Sequence, residues 1–301
     1  MIYDILLIMF KNPKNLPTEN QDLLSESKTF ESYSKGTLKS IKMESYFTVY
    51  DEIFKKYVGK NIIFVEIGVM HGGSLEMWKN YFGNNARIIG IDINPEAKKL
   101  ENKGFEIYIG SQSSKDFWKN FYEKIGPVDV ILDDGGHQNN QQIITAYESI
   151  KNINDGGMLV TEDTHTSYMS KFGNPSKYSF INFAKNKIDK INFRFPEFKD
   201  ENNIEKKIFS INFYESIVVF NINSKKSIIP NILENNDNSF TDKYLWDGSF
   251  SELFPGAQRL INSRFKFLKT VPILKKIIRI LFYKKNFFAK LKDMSLKKYF
   301  K

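Results

Sequence analysis

One segment restricts the fold more than any other: residues 61–74, NIIFVEIGVMHGGS. Its β-branched and aromatic residues predict a buried strand that ends at Glu66, and a helix-like segment opens at Ser74 after three glycines. Glycine reaches positive φ at little cost, so a strand, glycine turn and helix in succession can bring backbone close to a nucleotide-like ligand. The segment therefore predicts an α/β fold that binds a ligand at this turn.

The next predicted strand narrows the kind of ligand. A glycine turn alone more often marks a plain turn than a ligand site, and its spacing, E-x-G-x-x-x-G-G-S, is not the dinucleotide pattern. The strand ARIIGID at residues 86–92 ends in Asp92, about twenty residues past the glycines. A carboxylate there can accept both hydroxyls of a ribose. The combination predicts a nucleoside that carries no pyrophosphate.

Strand and helix patterns alternate along the first half of the chain. Predicted strands cover residues 61–67, 86–92, 105–109, 128–133 and 157–162. Predicted helices cover residues 41–58, 74–82, 95–101, 115–124 and 138–151. This alternation predicts an α/β fold with a doubly wound, mostly parallel sheet and helices on both faces. Residues 211–222 predict one or two antiparallel strands that close one edge.

Polar and acidic residues stand at the carboxyl ends of these strands. They are Glu66, Asp92, Gly110-Ser111-Gln112, Asp133-Asp134 and Glu162-Asp163. Ligands of parallel α/β sheets bind at the carboxyl ends of the strands. A purely structural protein has no reason to place acids at four of them, so the sequence predicts a functional site along this edge.

Composition excludes some chemistry and divides the chain into regions. Cysteine is absent, which excludes disulfides, thiolate metal sites and a cysteine nucleophile. The net charge of +9 is uneven, because fourteen Lys and Arg and one acid stand in residues 256–301, which leaves −4 for the rest. We expect an N-terminal arm at 1–40, a ligand-binding domain at 41–225, a linker at 226–255 and a basic helical tail at 256–301.

Six motifs within residues 40–222 resemble one enzyme family in their order and content. They are FVEIGVMHGGSLEMW, IIGIDINP, IGSQSS, VDVILDDGGH, GGMLVTEDTHTSY and FYESIVVF. Together they resemble the class I S-adenosylmethionine-dependent methyltransferases, and within that class the metal-dependent sugar O-methyltransferases of macrolide and surface-glycan pathways. The cephalosporin-hydroxylase-like methyltransferases are similar too. The resemblance implies a Rossmann-like, seven-stranded sheet that binds S-adenosylmethionine and Mg²⁺ or Mn²⁺.

The resemblance also assigns roles around the methyl donor. The acid and glycine after the first strand would face the methionine part, with the serine of the following helix near its carboxylate. The acid of the second strand would bind the ribose, and the Ser-Gln pair after the third would lie beside the adenine. The implied cofactor-binding residues are Glu66, Gly68, Ser74, Asp92, Ser111, Gln112 and Asp133. The family often has an acid where Ser111 stands.

The remaining strand-end acids resemble the metal site of the family. The resemblance implies that Asp134, Glu162 and Asp163 ligate Mg²⁺ and that His137 is the general base. Three carboxylates make an all-oxygen site, which selects Mg²⁺, Ca²⁺ or Mn²⁺ over zinc. A neutral histidine can take the proton of a metal-bound hydroxyl. The alternatives are a plain Asp-Gly turn for Asp133-Asp134 and a structural role for His137.

The basic tail has an amphipathic pattern at residues 271–290, with Pro272 at a helix-start position. The apolar residues that share one helical face are Ile273, Leu274, Ile277, Ile278, Leu281 and Phe282. Basic amphipathic helices are typical of membrane-surface segments. Packing on the protein itself or on a second subunit of a homo-oligomer is the alternative, and nucleic acid is the least favoured partner.

The motifs favour an O-methyltransferase that acts on a sugar hydroxyl of a surface glycan or a glycosylated metabolite. A small diol or catechol acceptor is the first alternative, because the same metal site would serve it. A non-catalytic membrane- or nucleic-acid-binding module is the second, and the intact strand-end acids argue against it. No apolar run approaches the ~18 residues of a membrane span, so we expect a cytoplasmic protein, at most peripheral at the inner membrane face.

Overall fold

Seven strands form one mixed sheet in the computed structural model, which describes residues 24–192, 204, 206–231 and 233. They are β1 (Ile63–Ile67), β2 (Arg87–Asp92), β3 (Glu106–Ile109), β4 (Val128–Asp133), β5 (Ile153–Thr161), β6 (Ile208–Tyr214) and β7 (Ile217–Ile222). Their order is β3-β2-β1-β4-β5-β7-β6. The pairs among β1 to β5 are parallel, and β7 is antiparallel to both β5 and β6. The predicted mostly parallel sheet with an antiparallel edge is confirmed.

Helices connect most of the strands. The α-helices that lie wholly within the described residues are α1 (Lys28–Ser34), α2 (Glu44–Phe54), α3 (Gly73–Phe82), α4 (Lys115–Ile125), α5 (Asn139–Ile150) and α6 (Phe180–Asn192). The 3₁₀ helices are Lys55–Tyr57, Pro95–Lys103, Thr164–Tyr168 and Ser170–Phe172. Helices α1 and α6 were not predicted. The strand β5 begins at Ile153 rather than at residue 157, because Asp155 and two glycines obscure the strand pattern at its start.

Two apolar cores cover the two faces of the sheet. Side chains alternate between faces along a strand, so Phe64 packs in one core and Val65 in the other. The first core includes Trp78 of α3, and the second includes Trp118 of α4; both side chains are fully buried. Helices therefore lie on both faces, as predicted, and the carboxyl ends of the strands are left to carry the site.

Residues 24–40, the second part of the predicted arm, pack as part of the domain. The Ser27 side chain caps α1 by accepting a hydrogen bond from the Phe30 N–H at 3.0 Å. Phe30 packs edge-on against Phe47 of α2, with ring centroids 5.2 Å apart. Thr29 is fully buried and donates its hydroxyl to the Phe47 carbonyl at 3.0 Å. This part of the arm therefore fixes the position of α2.

The chain divides into two units, Met1–Ile232 and Leu233–Lys301, and every element named above lies in the first. None of the helices among the described residues has both the length and the apolar composition needed to cross a membrane. The basic tail at 256–301, with its amphipathic pattern, lies outside the described residues, as does most of the predicted linker. The predicted domain boundaries stay predictions.

Candidate active site

The glycine turn joins the ends of three neighbouring strands. Gly68 follows β1 with a φ of +86°, and its N–H donates to the carbonyl of Ile91 in β2 at 2.8 Å. A Cβ at Gly68 would lie 2.2 Å from the carbonyl oxygen of Asp134, just past β4. The turn therefore requires glycine for its backbone conformation and for space, and it brings the predicted donor loop against the predicted metal ligand.

Asp92 fixes the same turn from the end of β2. One carboxylate oxygen accepts the N–H groups of Val69 and Met70 at 3.0 and 3.3 Å, and the other accepts the N–H of Asn94 at 2.8 Å. A carboxylate offers about four lone-pair sites, so capacity remains for the hydroxyls of a ligand. The predicted ribose-binding acid thus lies beside the glycine turn.

Glu66 and Ser74 pair at the start of α3. Glu66 is fully buried and accepts a hydrogen bond from the Ser74 hydroxyl at 2.8 Å. Burial raises the pKa of Glu66 to about 7, and the nearby Lys42 ammonium opposes this rise. The N–H groups at a helix start attract negatively charged groups. The residues predicted to face the methionine part of a donor therefore share one location.

Acids at the ends of β4 and β5 converge with His137. The Nε2 atom of His137 lies 3.3 Å from Asp163 Oδ2 and 4.0 Å from Asp134 Oδ1. One ligand atom from each of these three residues lies within 4.8 Å of the others. The convergence follows from the parallel pairing of β4 with β5, in which Asp133 stands opposite Thr161. We call Asp134, His137 and Asp163 the ligand cluster.

The backbone is strained at two members of the ligand cluster. His137 has a φ of +56° and Asp163 a φ of +54°, a region that Asp and His adopt more often than most residues but that still costs energy. The Thr166 hydroxyl lies 3.2 Å from the carbonyl oxygen of His137 and 2.8 Å from that of Asp163. This bridge ties the two turns together, so the protein holds both side chains in a costly arrangement, as functional sites often do.

Lys42 is a member of the site that the sequence did not reveal. Its side chain is only 2% exposed, and its Nζ lies 2.6 Å from Asp134 Oδ2, 3.0 Å from Glu162 Oε2 and 3.6 Å from Glu66 Oε1. No pattern distinguishes this lysine from the others of a lysine-rich chain. Acids from β1, β4 and β5 thus share one ammonium group.

Two tyrosines of α2 bind the acids that follow β5. Tyr46 donates its hydroxyl to Asp163 Oδ1 at 2.5 Å, and Tyr50 donates a short hydrogen bond to Glu162 Oε1. Both phenols are buried. Their four-residue spacing puts them on one helical face, which is a signal that the sequence contained. Glu162 is therefore engaged by Tyr50 and Lys42, and it lies outside the ligand cluster.

Burial opposes ionisation of the acids in this region. It raises the pKa of Asp134 and moves that of Glu162 well above its usual range, and Lys42 opposes both shifts. Burial lowers the pKa of Lys42, but the carboxylates of Asp134, Glu162 and Glu66 outweigh it and hold that pKa well above its usual range. Three carboxyl groups therefore share one ammonium, and burial favours the neutral form of those acids that the ammonium does not balance.

Gln112 and Asp133 bind each other inside the protein. Gln112 Nε2 donates to Asp133 Oδ1 at 2.8 Å, and Gln112 Oε1 accepts the Gly136 N–H at 2.9 Å. Burial raises the pKa of Asp133 to about 6. Ser111 pairs with Ser113 at 2.9 Å. These contacts hold the loop that follows β4, and the predicted adenine contact of Ser111 and Gln112 stays a prediction.

Four buried polar atoms at or just past these strand ends form no hydrogen bond within the described part of the chain. They are Glu66 Oε1, Asp133 Oδ2, His137 Nδ1 and Thr161 Oγ1. Buried polar atoms are normally partnered, and half of the eight unpaired ones among the described residues lie at this edge of the sheet, which favours a ligand site there. Because most of the candidate metal ligands are carboxylates, the residues fit a divalent cation that prefers oxygen.

The fold defines a class of protein. The chain is similar to a solved structure of MycE methyltransferase from the mycinamycin pathway in complex with Mg, SAH and mycinamycin VI, with a TM-score of 0.59 and 24% identity. The match covers 70% of this chain and 56% of that chain. The fold is that of a class I S-adenosylmethionine-dependent methyltransferase, as the sequence motifs implied.

The relatives found by sequence similarity have named activities that are narrower than the class that the fold defines. The chain is 31% identical over 138 residues to 8-demethyl-8-alpha-L-rhamnosyl tetracenomycin-C 2'-O-methyltransferase of Streptomyces olivaceus, covering 43% of this chain and 36% of the relative. It is 31% identical over 134 residues to L-olivosyl-oleandolide 3-O-methyltransferase of Streptomyces antibioticus, covering 42% and 34%. No family model matches the chain. The aligned part is related to sugar O-methyltransferases, and it spans about a third of the length of these relatives.

Proposed function

We propose that this chain is an S-adenosylmethionine-dependent O-methyltransferase that uses Mg²⁺ or Mn²⁺ and methylates a sugar hydroxyl. One observation carries the proposal: the glycine turn at Gly68 lies directly against the backbone of Asp134, a member of the ligand cluster. A donor site and a metal site therefore meet at the carboxyl ends of β1 and β4. The sugar acceptor is supported by the relatives, which are named for rhamnosyl and olivosyl compounds.

The donor half would bind a nucleoside at the ends of β1, β2 and β3. Asp92 would hold the ribose, and Glu66, Gly68 and Ser74 would surround the methionine part of the donor, which supplies the methyl group. The exposed apolar side chains Met70, Ile93 and Ile109 stand at these neighbouring strand ends. A row of exposed apolar groups suits the flat adenine ring, with Ser111, Gln112 and Asp133 on the side of β3 and β4.

The metal half would consist of Asp134, Glu162 and Asp163. Asp134 and Asp163 belong to the ligand cluster, and Glu162 is the immediate chain neighbour of Asp163. A divalent ion held there would lower the pKa of a bound hydroxyl and orient its oxygen towards the methyl group. Coordination by Glu162 would require it to exchange its contact with Lys42 or with Tyr50.

His137 would act as the general base. Its imidazole is buried beside Asp134 and Asp163, with Nε2 4.0 Å from Asp134 Oδ1 and 3.3 Å from Asp163 Oδ2. As the new bond forms between the acceptor oxygen and the methyl carbon, the bond from that carbon to sulfur breaks, and His137 takes the hydroxyl proton. General bases typically contribute ~10²–10⁴-fold to the rate.

The acceptor half would lie beside the loop after β5. Tyr168 and Tyr178 on that loop are 64% and 71% exposed, and such rings can pack on the apolar face of a sugar. Vicinal hydroxyls of a sugar could supply two oxygens to the ion, and so could a catechol or another small diol.

A methyl-transfer assay separates these acceptors. We expect label from S-adenosylmethionine to reach a glycosylated macrolide or tetracenomycin but not a catechol, to be lost with a chelator, and to return with Mg²⁺. Asp134→Asn should lower turnover at least ~10²-fold, because it removes a charged ligand next to the reacting oxygen, whereas the exposed Asp189→Asn in α6 should not. Labelling of catechol alone would refute the sugar acceptor, and full activity in chelator would refute the metal.

The protein would be cytoplasmic. Its basic tail would add a peripheral contact with the anionic inner face of the membrane. Its net charge of +13 and the amphipathic pattern at residues 271–290 support this. We expect the full chain to co-sediment with phosphatidylserine vesicles and a Lys275, Lys276 and Arg279 to Gln variant to lose most of this binding. Equal sedimentation of the full chain and the variant would argue that the tail packs on the protein itself or on a second subunit. Light scattering would detect packing on a second subunit as a difference in oligomer size.

A further inference from the structure

The ammonium of Lys42 lies among the acids at the ends of β1, β4 and β5, where a bound cation is expected. It contacts Asp134 and Glu162 at 2.6 and 3.0 Å and approaches Glu66 at 3.6 Å. Two of these acids are ligands in the proposed metal site. The residue comes from the segment between α1 and α2, 92 and 120 residues away from Asp134 and Glu162.

The same carboxylate oxygens cannot serve two cations well at once. Mg²⁺ binds oxygen at about 2.0–2.1 Å and requires near-octahedral geometry, so an ion held by Asp134 and Glu162 would occupy the space between them. That space holds Lys42 Nζ. Two positive charges at this separation would also repel each other strongly in a buried site. Coordination by both acids therefore requires the ammonium to withdraw.

The segment that carries Lys42 can release it without disrupting a helix or strand, because residues 36–43 form neither. Thr37 and Leu38 anchor this segment by donating their N–H groups to Glu76 Oε2 of α3 at 2.7 and 2.8 Å. A Cβ on Gly73 would lie 2.5 Å from the Leu38 carbonyl oxygen, so the segment passes directly over the donor turn. The ammonium of Lys42 ends a four-carbon stem, and the anchoring hydrogen bonds lie four and five residues earlier in the segment.

We propose that Lys42 competes with the divalent ion for Asp134 and Glu162 and thereby sets the affinity of the metal site. The inference rests on the proposed metal-dependent function. Without the ion, Lys42 neutralises part of the buried negative charge; with the ion bound, its side chain withdraws. The chain thus carries its own displaceable cation, and the metal affinity that it shows is reduced by the fraction of molecules in which Lys42 is in place.

Calorimetry with the metal alone tests the competition on the full chain. Lys42→Met keeps the length of the side chain and removes its charge, and we expect it to bind Mg²⁺ or Mn²⁺ at least ~10-fold more tightly, as displacing a group present in about 90% of molecules implies. The control is Lys60→Met, an exposed lysine at the amino end of β1, which should bind within about twofold of wild type. Equal or weaker binding by a folded Lys42→Met protein would overturn the proposal.

Amine labelling of the wild-type chain tests the withdrawal even where Lys42→Met does not fold. Peptide mass spectrometry after brief acetylation should show Lys42 protected without divalent ion, since its side chain is 2% exposed, and labelled several-fold more at saturating Mg²⁺. Protection that persists while calorimetry shows the ion bound would overturn the competition and leave the metal site standing. Absence of ion binding by both proteins would instead overturn the metal site, and this inference with it.

Discussion

Replacing His137 by Asn is expected to lower kcat for methyl transfer by ~10²–10⁴-fold, because the reaction loses its proton acceptor. Asparagine is the suitable substitution, since His137 has a φ of +56° and Asn tolerates this region better than Ala does. Steady-state kinetics with the labelled donor and a saturating sugar acceptor give the measurement. The reduction should appear in kcat and kcat/KM together, as for an interaction made in the transition state.

Donor binding supplies the control for this variant. His137 follows β4, whereas the predicted ribose contact is Asp92 of β2, so the calorimetric affinity for S-adenosylhomocysteine should stay within about twofold. Turnover within a few-fold of wild type would show that His137 is not the base. Loss of donor affinity together with turnover would point to a structural role instead.

Replacing Gly68 by Ala is expected to destabilise the fold by roughly 2–5 kcal/mol. Part of this comes from the left-handed backbone, which costs a non-glycine residue about 1–2 kcal/mol. The rest comes from a Cβ placed 2.2 Å from the carbonyl oxygen of Asp134, an overpacking that costs about 1–3 kcal/mol. Since backbone rather than a flexible side chain lies in the way, the β1 and β4 ends must separate, and donor binding should weaken as well.

Gly104 is the matched control for the Gly68 variant. It has a φ of +84°, and an added Cβ would find no atom within 4 Å. Gly104→Ala should therefore show only the conformational cost, about 1–2 kcal/mol. Urea denaturation of both variants measures the difference. If the two lost equal stability, the close approach between the glycine turn and the β4 end would not be a real constraint.

Much of the fold followed from local sequence. The apolar strand patterns, the glycine turn and the acids at strand ends are periodic or nearest-neighbour features, and parallel pairing then brings Asp134 and Asp163 to the same edge. The sequence did not predict the helix α6, because a repeating apolar face is missing from most of it. Its buried residues, Phe180, Ile181 and Ala184, lie in its first turns within a Lys- and Asn-rich sequence. The helix α1 was missed for a similar reason, as its residues are mostly polar.

The partners of the acids did not follow from sequence. Lys42 binds Asp134 and Glu162 across 92 and 120 residues of chain, and nothing near Lys42 indicates where its side chain ends. These long-range contacts bear most on the predicted ligand role of Glu162, because Tyr50 and Lys42 occupy its two oxygens. Contacts of this kind depend on how α1 and α2 pack on the sheet.

The sequence by itself determined the α/β class, the glycine turn at Gly68 and the identity of the strand-end acids, because these depend on side-chain period and on residues adjacent in the chain. Only the tertiary structure decided which groups meet. It joined His137 to Asp134 and Asp163 as one ligand cluster and placed the ammonium of Lys42 between Asp134 and Glu162. The physical reason is that a buried charge needs an opposite charge beside it, and folding decides which residue supplies that charge, however distant it is in sequence.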